Sequence, residues 1–406
     1  MSEQPPSPYL PPVPDLIDTD ESARARLAAL PDDNEPVAAD TERASGFRYV
    51  QRAYLIQLKT AASGIWLIDP TGLGPDVFAE LDAKLAGREW VLHAASQDLP
   101  SLNMAGLTPR RLFDTEVAAR LLGREHVGLG ALVEDVLGIT LAKTHANSDW
   151  SQRPLPEDWL SYAAGDVEFL VELAAVLKEE LAAAGKLEWA QQEFEYLLSQ
   201  PAPAAKEDPW RSTTDIHLVR TRRGLGLVRA LWFARDEVAQ ALDLAPHRVV
   251  NDRAITGMAA RVPDQIPAAM VASAARRDWT RRLPASYAHQ FSDAVDAVSA
   301  LPETELPPLR GGAGSPPPTR QWSRRNPAAA KRWAAVRPAI AELAEANTLP
   351  QENLISPRAL RTLLWETSDP SPASIDQQLS DLSVRPWQRA LVTPVISGIL
   401  GTLPPT

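Results

Sequence analysis

The chain has 406 residues, a formal net charge of −11, 45% apolar and 23% charged residues, and no cysteine. The length points to two or three folded domains. The absence of cysteine excludes disulfides and thiolate metal sites and permits a reducing compartment, and the acidic balance, taken alone, argues against an obvious nucleic-acid binder.

Residues 1–16 have neither the basic start nor the apolar stretch of a secretory signal. No run of about 18 apolar residues suggests a membrane span, so a cytoplasmic protein is expected. Residues 1–30 are rich in Pro, Ala and acids and predict a loose N-terminal arm. From Val37 the pattern changes: Val37–Asp40, Ala53–Thr60 and Ile65–Pro70 read as strands, the last two joined by a hairpin turn at Ala61–Gly64. Asp76–Gly87 has helical spacing with Gly at its end, and Glu89–Ala94 reads as another strand. A helix is expected just beyond it, with Ser96 as its cap, then helices opening near Asp114 and Gly128, and a long helical stretch from about Asp158. Strands followed by alternating strand and helix predict an α/β layer with a mixed sheet over residues 31–200. Beyond Gln200 a Pro- and Ala-rich linker leads to purely helical periodicity over 207–299. A Pro/Gly-rich linker spans 300–319, and helical patterns resume over 320–400.

Three places in the first domain offer an acid in a placed context. Asp40 and Glu42 stand one residue apart on a strand, so both side chains lie on one face. Carboxylates that close repel, and each raises the other's pKa. Asp98 lies in the first helical turn after a strand, and Asp166 follows Tyr162 by four residues, on one helix face. Hard divalent cations take such oxygen ligands, and two ions about 4 Å apart clamp the attacking and leaving oxygens of a phosphodiester. The repulsion between Asp40 and Glu42 is what such cations relieve. Taken singly, Asp98 reads more simply as a helix cap. Asp114, Thr115 and Glu116 repeat the letters of Asp40, Thr41 and Glu42 but read as a helix start. His93 reads as a buried imidazole, and Gly128–Gly130 lacks the lysine of a phosphate loop. Arginines gather at Arg220, Arg222 and Arg223, at Arg276, Arg277, Arg281 and Arg282, and between Arg320 and Arg332. Each group is either a solvated helix face or a local stripe for a polyanion.

The segments "VAADTE" (Val37–Glu42), "HAASQDL" (His93–Leu99) and "YAAGDVEFL" (Tyr162–Leu170) resemble, in order, the three motifs of DEDD-superfamily 3′→5′ exonucleases. The flanks "AYLIQL" and "LFDTEVAARLLG" resemble ribonuclease D, and Tyr162, with Ser161 where another subclass has histidine, is similar to the tyrosine subclass. "PWRSTTDIHLV" and the helical stretch after it resemble an HRDC domain, and "RWAAVRPAIAELAEANTLPQENLISPRALRTLLWE" resembles a second, more divergent copy. The resemblance runs from about Val37 to about Leu400. It implies an α/β ribonuclease H-like exonuclease domain, a mixed sheet flanked by helices, followed by two all-α HRDC-type domains.

It also implies a 3′→5′ exoribonuclease that uses two divalent metal ions, Mg²⁺ or Mn²⁺. Such an enzyme releases nucleoside 5′-monophosphates from RNA with a free 3′ end, transfer-RNA precursors and other structured RNAs among them. By the same resemblance Asp40 bridges both ions, Glu42 and Asp166 complete the site of the water-activating ion, Asp98 holds the second, and Tyr162 orients the water. The arginine groups supply backbone contacts, and no obligate protein partner is implied. The alternatives are a 3′→5′ DNA exonuclease and a nucleic-acid-binding protein with an inert nuclease domain. Retention of four mutually repelling acids argues against inertness. Two departures stand out: Arg43, Ala44 and Ser45 follow the first motif where the family usually has an apolar residue, and Gly165 stands where a larger apolar residue is common. Every proposed ligand precedes Gln200, so the first domain alone is expected to cut short strands.

Overall fold

A computed structural model describes residues 9–142, 148–201, 207–262, 285–309 and 316–403. Its sheet comprises β1 (Leu16–Ile17), β2 (Val37–Arg43), β3 (Ala53–Thr60), β4 (Gly64–Ile68), β5 (Trp90–Leu92) and β6 (Leu112–Asp114), in the order β1-β4-β3-β2-β5-β6. β3 runs antiparallel to both β2 and β4, while β1–β4, β2–β5 and β5–β6 are parallel. β3 is covered on both faces, which is why it reads as a nearly unbroken apolar run rather than an alternation.

Over residues 16–29 the expected loose arm is corrected, and residues 1–8 lie outside the described ones. Leu16–Ile17 pairs with Leu67–Ile68 as an edge strand, and α1 (Asp20–Ala29) follows, buries Ala23 and Leu27, and is capped by Thr19 and Ser22. Two apolar residues between Asp15 and Asp18 carry no periodicity, so the strand left no signal. β6 is short for the same reason.

The helices of this layer are α2 (Pro75–Leu85), α3 (Leu99–Met104), α4 (Thr115–Leu121), α5 (Leu129–Leu137), α6 (Glu157–Glu168), α7 (Leu170–Ala183) and α8 (Leu187–Ser199). The long helical stretch beyond Asp158 is therefore two helices, broken at Phe169, whose ring packs edge-on against Tyr9, and ended at Gly185, whose φ is +68°, before α8. α6 runs unbroken through Gly165. A Cβ there would meet Pro11 at an ordinary 3.8 Å, so the glycine neither loosens the turn nor answers a close approach.

Next, α9 (Arg222–Leu242), α10 (Pro246–Val249), α11 (Asp252–Ala259) and α12 (Ala285–Ala300) enclose a core that includes Leu227, Leu231, Val238, Phe291 and Val295. The C-terminal helices α13 (Pro327–Ala346), α14 (Pro357–Glu366), α15 (Pro372–Asp381) and α16 (Pro386–Thr402) share one continuous apolar cluster with the sheet domain. No helix among the described residues is long and apolar enough to cross a membrane.

Candidate active site

β2 presents its acids to α6. Asp40 pairs in register with Gln57 and Glu42 with Leu55, and directly opposed residues share a sheet face. Leu55 packs against Ala163 and Ala164 of α6. Small residues at those positions let the helix lie close to the sheet, and this brings Tyr162 and Asp166, one turn apart, over the strand end. Asp40, Glu42 and Asp166 each offer a carboxylate oxygen, all within 4.8 Å of one another. The Tyr162 hydroxyl bonds to the Asp166 carboxylate. Beside Asp40, Gln57 is fully buried, and neither polar atom of its amide has a hydrogen-bond partner among the described residues.

Asp98 stands apart from that trio. It is the first residue of the turn into α3, but its carboxylate makes no cap bond. It accepts instead from Thr41 Oγ1 at 2.7 Å, and Ser101 Oγ lies 2.8 Å from the same threonine and donates to the Asp98 carbonyl at 2.9 Å. Ser96, expected as the cap, does not serve as one. Arg43, past a register shift at the end of β2, donates from Nη1 to the Gln97 carbonyl at 2.6 Å. Thr41 and Arg43 thus both hold the turn that carries Asp98.

Asp114 has a larger part than its sequence suggests. It is the cap of α4, and its buried carboxylate accepts from the backbone N–H of Glu116 and Val117. It also accepts from Ala94 at 3.1 Å and Ala95 at 2.8 Å. Ala94 sits at φ +57°, a left-handed conformation costly for alanine. Asp114 therefore clamps the strained turn between β5 and Asp98. Nothing in the letters "DTE" distinguishes a cap from such a clamp. His93, as expected, is a neutral imidazole. Burial pushes its pKa down to about 4, and Nδ1 lies 2.9 Å from Thr115 Oγ1.

Desolvation is the largest influence on every acid of the site. With repulsion from Asp98, Asp166 and Glu42 added, it holds Asp40 well above the usual carboxylate range. Glu42 is pushed to about 9 by desolvation, then by Asp166 and Asp98, with Arg43 opposing. Asp166 rises to about 7 even though the Tyr162 hydrogen bond pulls it down, and Asp98 rises to about 6 against the Thr41 bond and Arg43. Tyr162 is raised by desolvation and by Asp166, Glu42 and Asp40. Four desolvated acids beside one guanidinium lack counter-charge, and an all-oxygen donor set of this kind suits hard divalent cations.

The sequence-derived arginine surface is partly corrected. Arg223 is buried on α9, donates to the Val298 carbonyl at 2.8 Å and pairs with Glu303 at 3.0 Å. It ties α9 to the end of α12 and cannot reach a phosphate. Arg222 donates to the Leu306 and Pro307 carbonyls, while Arg220 is exposed. Arg276, Arg277, Arg281 and Arg282 lie outside the described residues.

This sheet, with acids converging from its second strand and from a helix laid across it, puts the chain among the 3′–5′ exonucleases, and residues 16–182 match a family model of the description "3'-5' exonuclease". Residues 224–268 match the HRDC domain, and residues 315–400 match the "3' to 5' exonuclease C-terminal domain". The chain belongs to the ribonuclease D family. It is 31% identical over 373 residues to ribonuclease D of Xanthomonas oryzae pv. oryzae, covering 90% of this chain and 93% of that one. To ribonuclease D of Gluconacetobacter diazotrophicus it is 33% identical over 316 residues, 76% and 78% of the two chains. Among solved structures, a protein from Bifidobacterium adolescentis superposes with a TM-score of 0.84 at 36% identity, covering 96% of this chain and 97% of that one. Escherichia coli RNase D, an exoribonuclease involved in structured RNA processing, superposes with a TM-score of 0.67 at 26% identity, over 96% and 99%.

Proposed function

We propose that the chain removes nucleotides one at a time from the 3′ end of RNA in the cytoplasm, transfer-RNA precursors and other structured RNAs being its substrates. The observation that carries this reading is the convergence of Asp40, Glu42 and Asp166 within 4.8 Å. Asp40, Glu42, Asp98 and Asp166 would hold two divalent cations, Mg²⁺ or Mn²⁺, which when bound supply an activated water and neutralise charge on the phosphoryl oxygens. Tyr162 directs its hydroxyl at the Asp166 carboxylate and, from that position, orients the attacking water. Water attacks phosphorus, and the bond to the upstream 3′ oxygen breaks. The products are an upstream 3′-hydroxyl end and a nucleoside 5′-monophosphate. Thr41, Arg43 and Asp114 hold the Asp98 turn in place.

The test uses 5′- and 3′-labelled RNA and DNA oligomers with Mg²⁺ or Mn²⁺. A 5′ label should give a ladder shortening from the 3′ end, a 3′ label should give mononucleotide at once, and chelation should stop both. Attack from the 5′ end, or full activity after exhaustive chelation, would overturn the mechanism, and faster hydrolysis of DNA would reassign the substrate.

A further inference from the structure

Arg43 ends β2, the loop that follows carries Arg48 and Arg52, and that loop is gripped by the helical domain. The N–H groups of Phe47 and Arg48 both donate to the Ala44 carbonyl at 2.8 Å, which makes a tight turn at the start of the loop. The N–H groups of Tyr49 and Val50 donate to the Asp243 carboxylate at the end of α9, and the Ala245 N–H donates to the Phe47 carbonyl. Arg248 of α10 lies over the Phe47 ring at 4.1 Å and donates from Nε to the Gly46 carbonyl at 2.7 Å. A guanidinium from the second domain is thereby fixed onto the loop of the first.

The partners of these four arginines are neutral groups, as they are for other arginines of the chain such as Arg222 and Arg332; what sets the four apart is their place beside Glu42, at the end of β2 and on the loop after it, and on the helix that grips that loop. Arg124, Arg153 and Arg235 are each paired with carboxylates. Among the described residues, by contrast, Arg43, Arg48, Arg52 and Arg248 make no ion pair. Arg43 bonds a carbonyl, Arg48 donates to Ser151 Oγ at 2.8 Å, Arg52 lies over the Tyr54 ring at 4.9 Å, and Arg248 has its carbonyl and ring. Each guanidinium has five N–H donors. These contacts orient each group and leave N–H donors for an anion, while the Arg43 charge also faces Glu42 and Asp98. Arg52 and Arg248 are exposed. The set begins beside Glu42 and ends on another domain, and a chain of phosphates is a complement that can touch both.

We infer that Arg43, Arg48, Arg52 and Arg248 form a phosphate track, shared by the two domains, that binds the single-stranded segment upstream of the scissile bond. The inference rests on the exonuclease reading for its direction: the loop adjoins Glu42, one of the acids that would act on the 3′ end. It replaces the buried Arg223 as the place where the helical domain meets substrate.

The experiment measures binding of 5′-labelled single-stranded RNA of two and of ten nucleotides to the Asp40→Asn protein, over a range of salt, with and without Arg48→Gln, Arg52→Gln and Arg248→Gln together. The ten-mer should bind at least tenfold more weakly to the triple variant at low salt, and its log–log salt slope should fall by about 2, since each phosphate contact on a single strand contributes about 0.7. The two-mer should change little, and lysine at all three positions should recover most of the slope. An unchanged ten-mer slope, or an equal loss for both lengths, overturns the track. If the triple variant melts early, Arg248→Gln alone is measured, with an expected slope change of about 0.7. Failure of the wild-type chain to hydrolyse RNA would count against the exonuclease reading, whereas the track is judged on the binding slopes.

Discussion

Asp40 and Asp114 begin identical Asp-Thr-Glu triplets, and their surroundings give them opposite duties. Asp40 is desolvated among like charges, whereas Asp114 is buried among backbone donors from two segments. Asp40→Asn should abolish hydrolysis and raise the stability of the metal-free protein, because it removes repulsion. Asp114→Asn turns an NH₂ toward an N–H that the carboxylate now accepts, and a buried donor left unpaired costs about 1–3 kcal/mol. It should therefore melt earlier by roughly 2–12 °C, given about 2–4 °C per kcal/mol for a domain of this size, and lose part of its activity as the turn bearing Asp98 relaxes. Thermal unfolding in chelator and single-turnover hydrolysis check both. Native stability in Asp114→Asn would reduce that residue to an ordinary cap. The pH dependence follows from the same charges. Asp98, Asp166 and Glu42 titrate near 6, 7 and 9 in the folded chain, above their unfolded values near 4. A folded pKa raised in this way gives stability that is fully present below the unfolded pKa and lost as pH rises through the folded one. The melting temperature of metal-free protein should thus fall from pH 5 to pH 9, and Mg²⁺ or Mn²⁺ should restore more at pH 9, where the ligands bind without first losing protons. A metal-free melting temperature that rises over that range would contradict these assignments.

At the scale of elements, α6 decides whether the site exists, since it carries Tyr162 and Asp166 across β2 and β3. Tyr162→Phe keeps the ring and its packing near Trp150, 6.4 Å between centroids, and removes only the hydroxyl. The expected kcat loss is about 10²-fold with little change in KM. The hydroxyl also lowers the Asp166 pKa, so its removal should move the acid limb of the pH–rate profile to higher pH. A wild-type rate with an unmoved limb would leave Tyr162 as packing alone. The sequence discloses α6 and β2–β4 because long elements with a buried face impose periodicity, and it discloses the acids because their order and spacing follow from those elements. β1 and β6, at two and three residues, are too short for any period. The four donors on Asp114, the bond from Thr41 to Asp98 and the burial of Arg223 are products of tertiary packing, with no counterpart in local spacing. Arg43 was visible only as an oddity, because its partner, the Gln97 carbonyl, lies 54 positions away.

The whole molecule limits how far the first domain can stand alone. All proposed ligands precede Gln200, which led to the expectation that a chain ending there still cuts short strands. Across that boundary, however, Trp189 of α8 stacks on Trp387 at 4.8 Å. Glu193 accepts from Trp387 Nε1 and Arg385 Nε, each at 2.8 Å, and Lys186 Nζ donates to the Asn347 carbonyl at 2.7 Å. The apolar cluster of the sheet domain continues into α13, α14 and α16. Removing an aromatic partner from such a core costs about 3–5 kcal/mol, and at about 2–4 °C per kcal/mol the truncated chain should melt roughly 10 °C or more below the full one. The loop over residues 46–50 would also lose Asp243, Ala245 and Arg248. Its backbone N–H groups would turn to water, and the neighbouring end of β2 would be less firmly placed. A chain ending at Gln200 should therefore keep metal-dependent cleavage of a dinucleotide but at a reduced kcat, which refines the expectation that it still cuts short strands. Restoring residues 201–309 should recover the salt-dependent affinity for longer strands but not the stability, because Trp387 would still be missing. Full stability and full kcat in the chain ending at Gln200 would mean that the helical domains rest on the exonuclease domain without supporting it.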